Sequence, residues 1–165
     1  MTNLLKRSFN TENTLVAELL SCSFAACTTT AIKANHVDII NNTTYNNGTV
    51  VGYPEIDANQ CSDVRIFNNI MYGRGAGTNC KGNDLAIYDY NMYWNGTVYK
   101  KGVHDIQANP LFISLSTNPL IANFALTRGS RAVNAGYKTD APTIDILGIA
   151  SPKGVGIDMG AYESY

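Results

Sequence analysis

A chain of 165 residues suits one domain and is long enough to bury a continuous core. Its 12 Lys and Arg against 13 Asp and Glu leave a formal net charge of −1 with no basic run, so the electrostatic footprint of a nucleic-acid binder is missing. Asparagine is the commonest residue and charged residues make up only 15%, a mixture poor in helix formers that predicts an all-β chain.

The first apolar stretch, Leu15 to Cys27, is broken by Glu18 and by Ser21 to Ser23, too polar a sequence to span a bilayer. Lys6 and Arg7 before it and Leu19-Leu20-Ser21-Cys22 within it have the outline of a lipoprotein signal. A glutamate does not belong in a signal core, so the segment is read as a strand and turn. Cys22, Cys27, Cys61 and Cys80 lack Cys-x-x-Cys spacing, which argues against zinc. Disulfides Cys22–Cys27 and Cys61–Cys80 and four buried thiols remain equal alternatives.

The segment Val37-Asp38-Ile39-Ile40-Asn41-Asn42-Thr43-Thr44-Tyr45 returns, about 27 residues later, as Val64-Arg65-Ile66-Phe67-Asn68-Asn69-Ile70-Met71-Tyr72. An earlier copy lies at Leu15–Leu19 and a looser one at Ile87–Trp94, making about four rungs. Apolar and polar residues alternate within each copy, as in Val37, Asp38, Ile39, so one set faces a core and the other water. The Asn-Asn pair suits a sharp corner, because Asn tolerates left-handed backbone angles, and stacked rungs would line these amides into a ladder. Asn46-Asn47-Gly48 and Gly73 to Gly77 are loops between strands. No polar cap precedes Leu15, which predicts an open strand edge there, either in a fragment of a longer solenoid or in a homo-oligomer that covers it.

Beyond Gly102 the repeat gives way to Asn109-Pro110-Leu111-Phe112, Phe124-Ala125-Leu126, Gly129-Ser130-Arg131-Ala132-Val133-Asn134-Ala135-Gly136, Asp145-Ile146-Leu147-Gly148 and Gly156-Ile157-Asp158-Met159-Gly160-Ala161-Tyr162-Glu163. With the Asn-cornered rungs, this series resembles the C-terminal part of right-handed parallel β-helix proteins of the pectate-lyase-like superfamily. Asn109, Arg131 and Asn134 depart from the family's usual Asp, Pro and Asp. The resemblance implies a single β-helix domain over 1–165, with rungs over 1–102 and a last rung and irregular C-terminal cap over 103–165. It also implies a secreted or cell-surface setting and a polysaccharide partner. In the cap, Pro110 and Pro119 stop regular pairing, and Leu111, Phe112, Phe124 and Leu126 are expected to close the open core of the last rung.

Rungs about 4.8 Å apart would align outward residues into columns. One column holds Tyr45, Tyr72 and Trp94 beside Asn46, Asn47 and Asn95, an aromatic stripe able to stack on sugar rings; Tyr45, Tyr72, Trp94, Asn47 and Asn95 are therefore the expected substrate-binding residues. A second column holds Asp38 and Arg65, with His36 and Asp63 one strand-step away. The resemblance implies a polysaccharide lyase as an alternative, in which Arg65 serves as base beside Asp38, and Asp63 and Asp84 hold Ca²⁺. The bland reading of Asp38 and Arg65 is a salt bridge between rungs. A glycosidase pair from Asp57 with Asp84 or Asp89 is conceivable, and His36 and His104 default to structural roles. The expected function is thus binding of an extended glycan, with a lyase or a purely structural assembly solenoid as the other readings and no cofactor outside the lyase case.

Overall fold

The computed structural model describes residues 6–9, 14–20, 24–25, 35–47, 54–58, 62–75, 79–81, 85–98 and 101–164. Cys22, Cys27, Cys61, Asp84 and the side chains of His36, Asp57 and Cys80 lie outside the described residues. Every regular element described is a strand: β1 (Lys6–Phe9), β2 (Thr14–Leu20), β3 (Phe24–Ala25), β4 (Asn35–Ile40), β5 (Thr43–Tyr45), β6 (Pro54–Asp57) and β7 (Ser62–Phe67). They continue with β8 (Ile70–Tyr72), β9 (Asn79–Lys81), β10 (Ile87–Asp89), β11 (Met92–Trp94), β12 (Ile106–Gln107), β13 (Phe112–Ser114) and β14 (Asn123–Leu126). Among the described residues no helix is long and apolar enough to cross a membrane.

The pairing follows the repeat. Asp38 of β4 lies beside Arg65 of β7, which lies beside Ile87 of β10; Tyr45 of β5 lies beside Tyr72 of β8, which lies beside Trp94 of β11, all in parallel. β3, β6 and β9 form a separate parallel sheet. The arrangement is all-β, built from parallel rows and compatible with a β-helix. β2 lacks an Asn-Asn pair and runs on without a corner, so its first half pairs with β4 and its second half with β5. β12 adds a shorter row beyond β11, Met92 beside Ile106. The edge of β2 that the sequence leaves open is covered: β1 pairs with it antiparallel, Phe9 opposite Leu15 and Lys6 opposite Glu18.

The corner asparagines divide their work. Asn41 and Asn68 take left-handed backbone angles, φ 54° and 57°, while Asn42 and Asn69 beside them build the ladder expected from the repeat. Asn69 Oδ1 accepts from the backbone N–H and the Nδ2 of Asn42, both at 2.9 Å, and Asn91 Oδ1 accepts from the same groups of Asn69 at 2.9 and 3.0 Å. Asp105 ends the series. Its Oδ1 accepts from the Asn91 N–H at 2.8 Å and its Oδ2 from the Tyr93 hydroxyl at 3.0 Å and the Gly102 N–H at 2.8 Å. A carboxylate fits a terminus because it only accepts.

Two apolar clusters result. Inside the rows, Ile39, Ile56, Val64, Ile66, Met71, Tyr88 and Tyr93 pack together. Outside, the opposite face of β8 and β11 presents Ile70 and Met92, against which Phe112, Phe124, Leu126, Ala132 and Met159 of the C-terminal segment pack. This corrects the expected cap. The segment does not plug the inner core; it folds back over an outer face, because Ile70-Met71 and Met92-Tyr93 are apolar on both faces of their strands and both must be covered.

Hydrogen bonds pin that cover to the corners. Asn41 Nδ2 donates to the carbonyls of Asp158 and Gly160, and Asn68 donates to the Tyr137 carbonyl at 2.8 Å while accepting its N–H at 2.7 Å. Gly160, at φ 95°, sits where an added Cβ would lie 2.8 Å from both Ile70 Cδ1 and Thr43 Oγ1, so only glycine permits this approach.

The ladder predicts that Asn69→Ala, which strips a fully buried acceptor from Asn42 and leaves backbone carbonyls short of donors, will cost about 1–3 kcal/mol in urea unfolding. An exposed control such as Thr117→Ala should change stability by no more than about 0.5 kcal/mol.

Candidate functional site

The folded-back segment rearranges the surface on which the sequence placed its sites. Tyr45 and Tyr72 are half-buried. Their rings meet edge-on at 5.1 Å, Tyr45 packs on Phe124 at 5.3 Å and Tyr72 on Phe112 at 6.3 Å, so two rings of the expected stripe serve as a floor for the β13–β14 hairpin. Burial, and then the neighbouring Tyr45, push the Tyr72 hydroxyl pKa up. Trp94 is 37% exposed. Asn95 is exposed and donates to the Gly73 carbonyl at 3.0 Å, whereas Asn47 is buried, its N–H bonded to Glu55 Oε1 at 2.9 Å.

The second column forms a tight ion pair. Arg65 Nε donates to Asp38 Oδ1 at 2.8 Å and Nη2 to Oδ2 at 2.5 Å, and a third bond runs from Nη1 to Asp140 Oδ2 at 3.0 Å. The Asp38 hydrogen bonds, with those of Asp140, outweigh burial and raise the Arg65 pKa further, the opposite of what a catalytic base requires. Asp63 is exposed, and among the described residues no cluster of three or more His, Cys, Asp and Glu is placed to hold a metal ion.

Next to this pair the fold assembles a row of rings that no single stretch of sequence contains. Phe67 neighbours Tyr137 at 6.0 Å, Tyr137 stacks on Tyr90 at 5.2 Å, and Tyr90 stacks on His104 at 4.3 Å with the planes 15° apart. Asp89 fixes the far end: its Oδ2 meets His104 Nδ1 at 2.8 Å, and its Oδ1 accepts the His104 N–H at 2.8 Å and the Tyr90 N–H at 3.1 Å. Burial raises the Asp89 pKa, but the hydrogen bonds from His104 and Tyr90 outweigh it and the net shift is downward. Phe67 and Asp89 are register neighbours on β7 and β10, and Asp140 joins the row to Arg65. The wall therefore runs from Asp38 and Arg65 through Asp140, Tyr137 and Tyr90 to His104 and Asp89.

Tyr90 is the unusual member. It occupies the corner position that Asn41 and Asn68 hold in the two preceding rows and adopts the same left-handed geometry, φ 56°. For a bulky side chain that geometry costs on the order of 1–2 kcal/mol, which asparagine largely avoids. Stacking between His104 and Tyr137 offsets part of the cost.

A separate carboxylate group holds the cover's own loops. Asp158 accepts from the N–H groups of Asn134 and Ser164 at 2.8 Å each. Glu163 accepts from the Ser151 hydroxyl at 2.8 Å and the Asp158 N–H at 3.1 Å, and Asp145 from the N–H groups of Leu147 and Ile149 at 2.8 Å. Asn109 and Asn134 do similar work as amides, accepting from Leu111 N–H at 3.0 Å and Gly156 N–H at 2.8 Å.

The chain matches no family model, no curated protein and no solved structure in the comparisons made with known proteins.

Burial raises the pKa of both Asp158 and Glu163, and for Glu163 the nearby Asp158 charge adds to it. A carboxyl whose folded pKa lies above its unfolded value of about 4 gives stability that is full below that value and lost as pH rises through the folded pKa. Melting temperature should therefore fall as pH is raised from about 4 through the raised carboxylate values. Glu163→Gln should flatten this slope in a thermal-melt series; an unchanged slope would remove Glu163 from the account.

Proposed function

We propose that this chain is a right-handed parallel β-helix of the pectate-lyase-like kind, secreted or displayed at the cell surface, which binds an extended polysaccharide without cleaving it. The observation that carries the reading is the ring row Phe67–Tyr137–Tyr90–His104 on an accessible wall, with a tyrosine held in costly backbone geometry at its centre. Sugars offer apolar C–H groups to aromatic surfaces and hydroxyls to carboxylates; here the parts of Tyr137 and His104 not stacked on Tyr90 serve the first, and the carboxylates serve the second. Tyr137, 39% exposed, and the half-exposed His104 ring provide the apolar contact. Asp89 and Asp140 provide acceptors at either end. Four rings in succession, joined through Asp140 to Arg65, make the wall elongated, which favours an extended chain over a compact ligand. The engagement of Arg65 by Asp38 and Asp140, which favours its protonated form, is the reason for preferring binding to β-elimination.

Affinity electrophoresis through gels containing xylan, a soluble mixed-linkage glucan or chitosan tests this. Retardation in at least one gel is expected, lost on Tyr137→Ala and on Tyr90→Asn, the latter restoring the residue found at the equivalent corners and so preserving the fold. Trp94→Ala should leave migration in the gel unchanged. If Trp94→Ala removes retardation while the other two do not, the binding face is the rim of the hairpin instead.

A further inference from the structure

Resting on the reading just given, we infer that the wall takes glycans free of carboxylates, and that Asp89, Asp140 and the already paired Arg65 turn uronate polymers away. A uronate carboxylate needs a cation with donors to spare. On this wall the guanidinium of Arg65 is engaged on three of its donors by two carboxylates of the chain itself, the bidentate pair with Asp38 and the single bond to Asp140. One N–H remains on each Nη of that guanidinium, but a uronate reaching them would sit beside the carboxylates of Asp38 and Asp140. At the other end Asp89 is committed to His104 and Tyr90, and its lowered pKa keeps it charged at neutral pH.

The charges along the wall agree: Asp38 and Asp140 outnumber Arg65 at one end and Asp89 stands at the other, so an approaching polyanion meets like charge on both sides of the ring row. Neutral sugar hydroxyls and amino groups can instead donate to Asp140, which is 46% exposed and accepts one bond from Arg65. Specificity of this type comes from what the site repels as much as from what it holds.

The full chain should be run on gels containing neutral xylan, chitosan and polygalacturonate, at low and at high salt. Retardation by xylan or chitosan and none by polygalacturonate at low salt is expected, with the discrimination, about tenfold or more in apparent affinity, shrinking as salt screens the acids. Asp140→Asn removes a negative charge and weakens the hold on Arg65, and should raise retardation in polygalacturonate severalfold while its circular dichroism spectrum stays that of the parent. Retardation by polygalacturonate as strong as by xylan would overturn the inference but leave glycan binding standing. A gain-free Asp140→Asn would overturn the role given to Asp140 and Arg65. Free migration in all three gels would remove the binding reading and this inference together.

Discussion

A buried carboxamide carries two donors and an oxygen with two lone pairs, and each group left unmet inside a protein costs about 1–3 kcal/mol. Asn42, Asn69 and Asn91 meet that demand only when rows stack in register, since the Asn69 and Asn91 oxygens serve the row before them and each Nδ2 reaches a strand carbonyl: Asn42 to Ile40, Asn69 to Ile39 and Phe67, Asn91 to Ile66 and Asp89. A slip of one residue would turn these amides outward and the alternating apolar set with them. The constraint sets the corners, the corners set the columns, and the columns determine which side chains from distant rows become neighbours. Asp105 closes the series with a group that has nothing further to donate.

Much of this was legible in the residues. The recurrence of Val-x-Ile-x-Asn-Asn gave the parallel rows, the pairing of Asp38 with Arg65 and of Tyr45 with Tyr72 and Trp94, and the amide ladder itself. The bland reading of Asp38 and Arg65 as an ion pair between rows also matches their geometry. The path of the last third of the chain was not legible, because it depends on which outer face needs covering. The signal was present in Ile70-Met71 and Met92-Tyr93, adjacent apolar residues that demand burial on both faces. Alternation elsewhere in the repeat concealed it.

That unread path explains why the candidate wall differs from the expected stripe. Folding back, the cover buries the flanks of Tyr45 and Tyr72 and brings Tyr137 and Asp140 beside Phe67, Tyr90 and Arg65. His104 and Asp89, 15 residues apart, meet because the short last row returns directly above β10, where Gly102 passes so close that an added Cβ would lie 2.2 Å from the Tyr88 carbonyl oxygen. Neither meeting has a sequence signature. Tyr90 comes nearest, a bulky residue at the corner where the two preceding rows carry asparagine.

The most direct measurement is a nuclear magnetic resonance experiment on labelled protein that detects which amide protons lie against the side-chain carboxamides of Asn69 and Asn91. Stacked rows predict Overhauser contacts from the Asn42 amide to the Asn69 side chain and from the Asn69 amide to the Asn91 side chain. Contacts that instead join these strands antiparallel, or that pair Asn69 with residues outside the Asn42 and Asn91 rows, would contradict the ladder and dissolve the wall built on it.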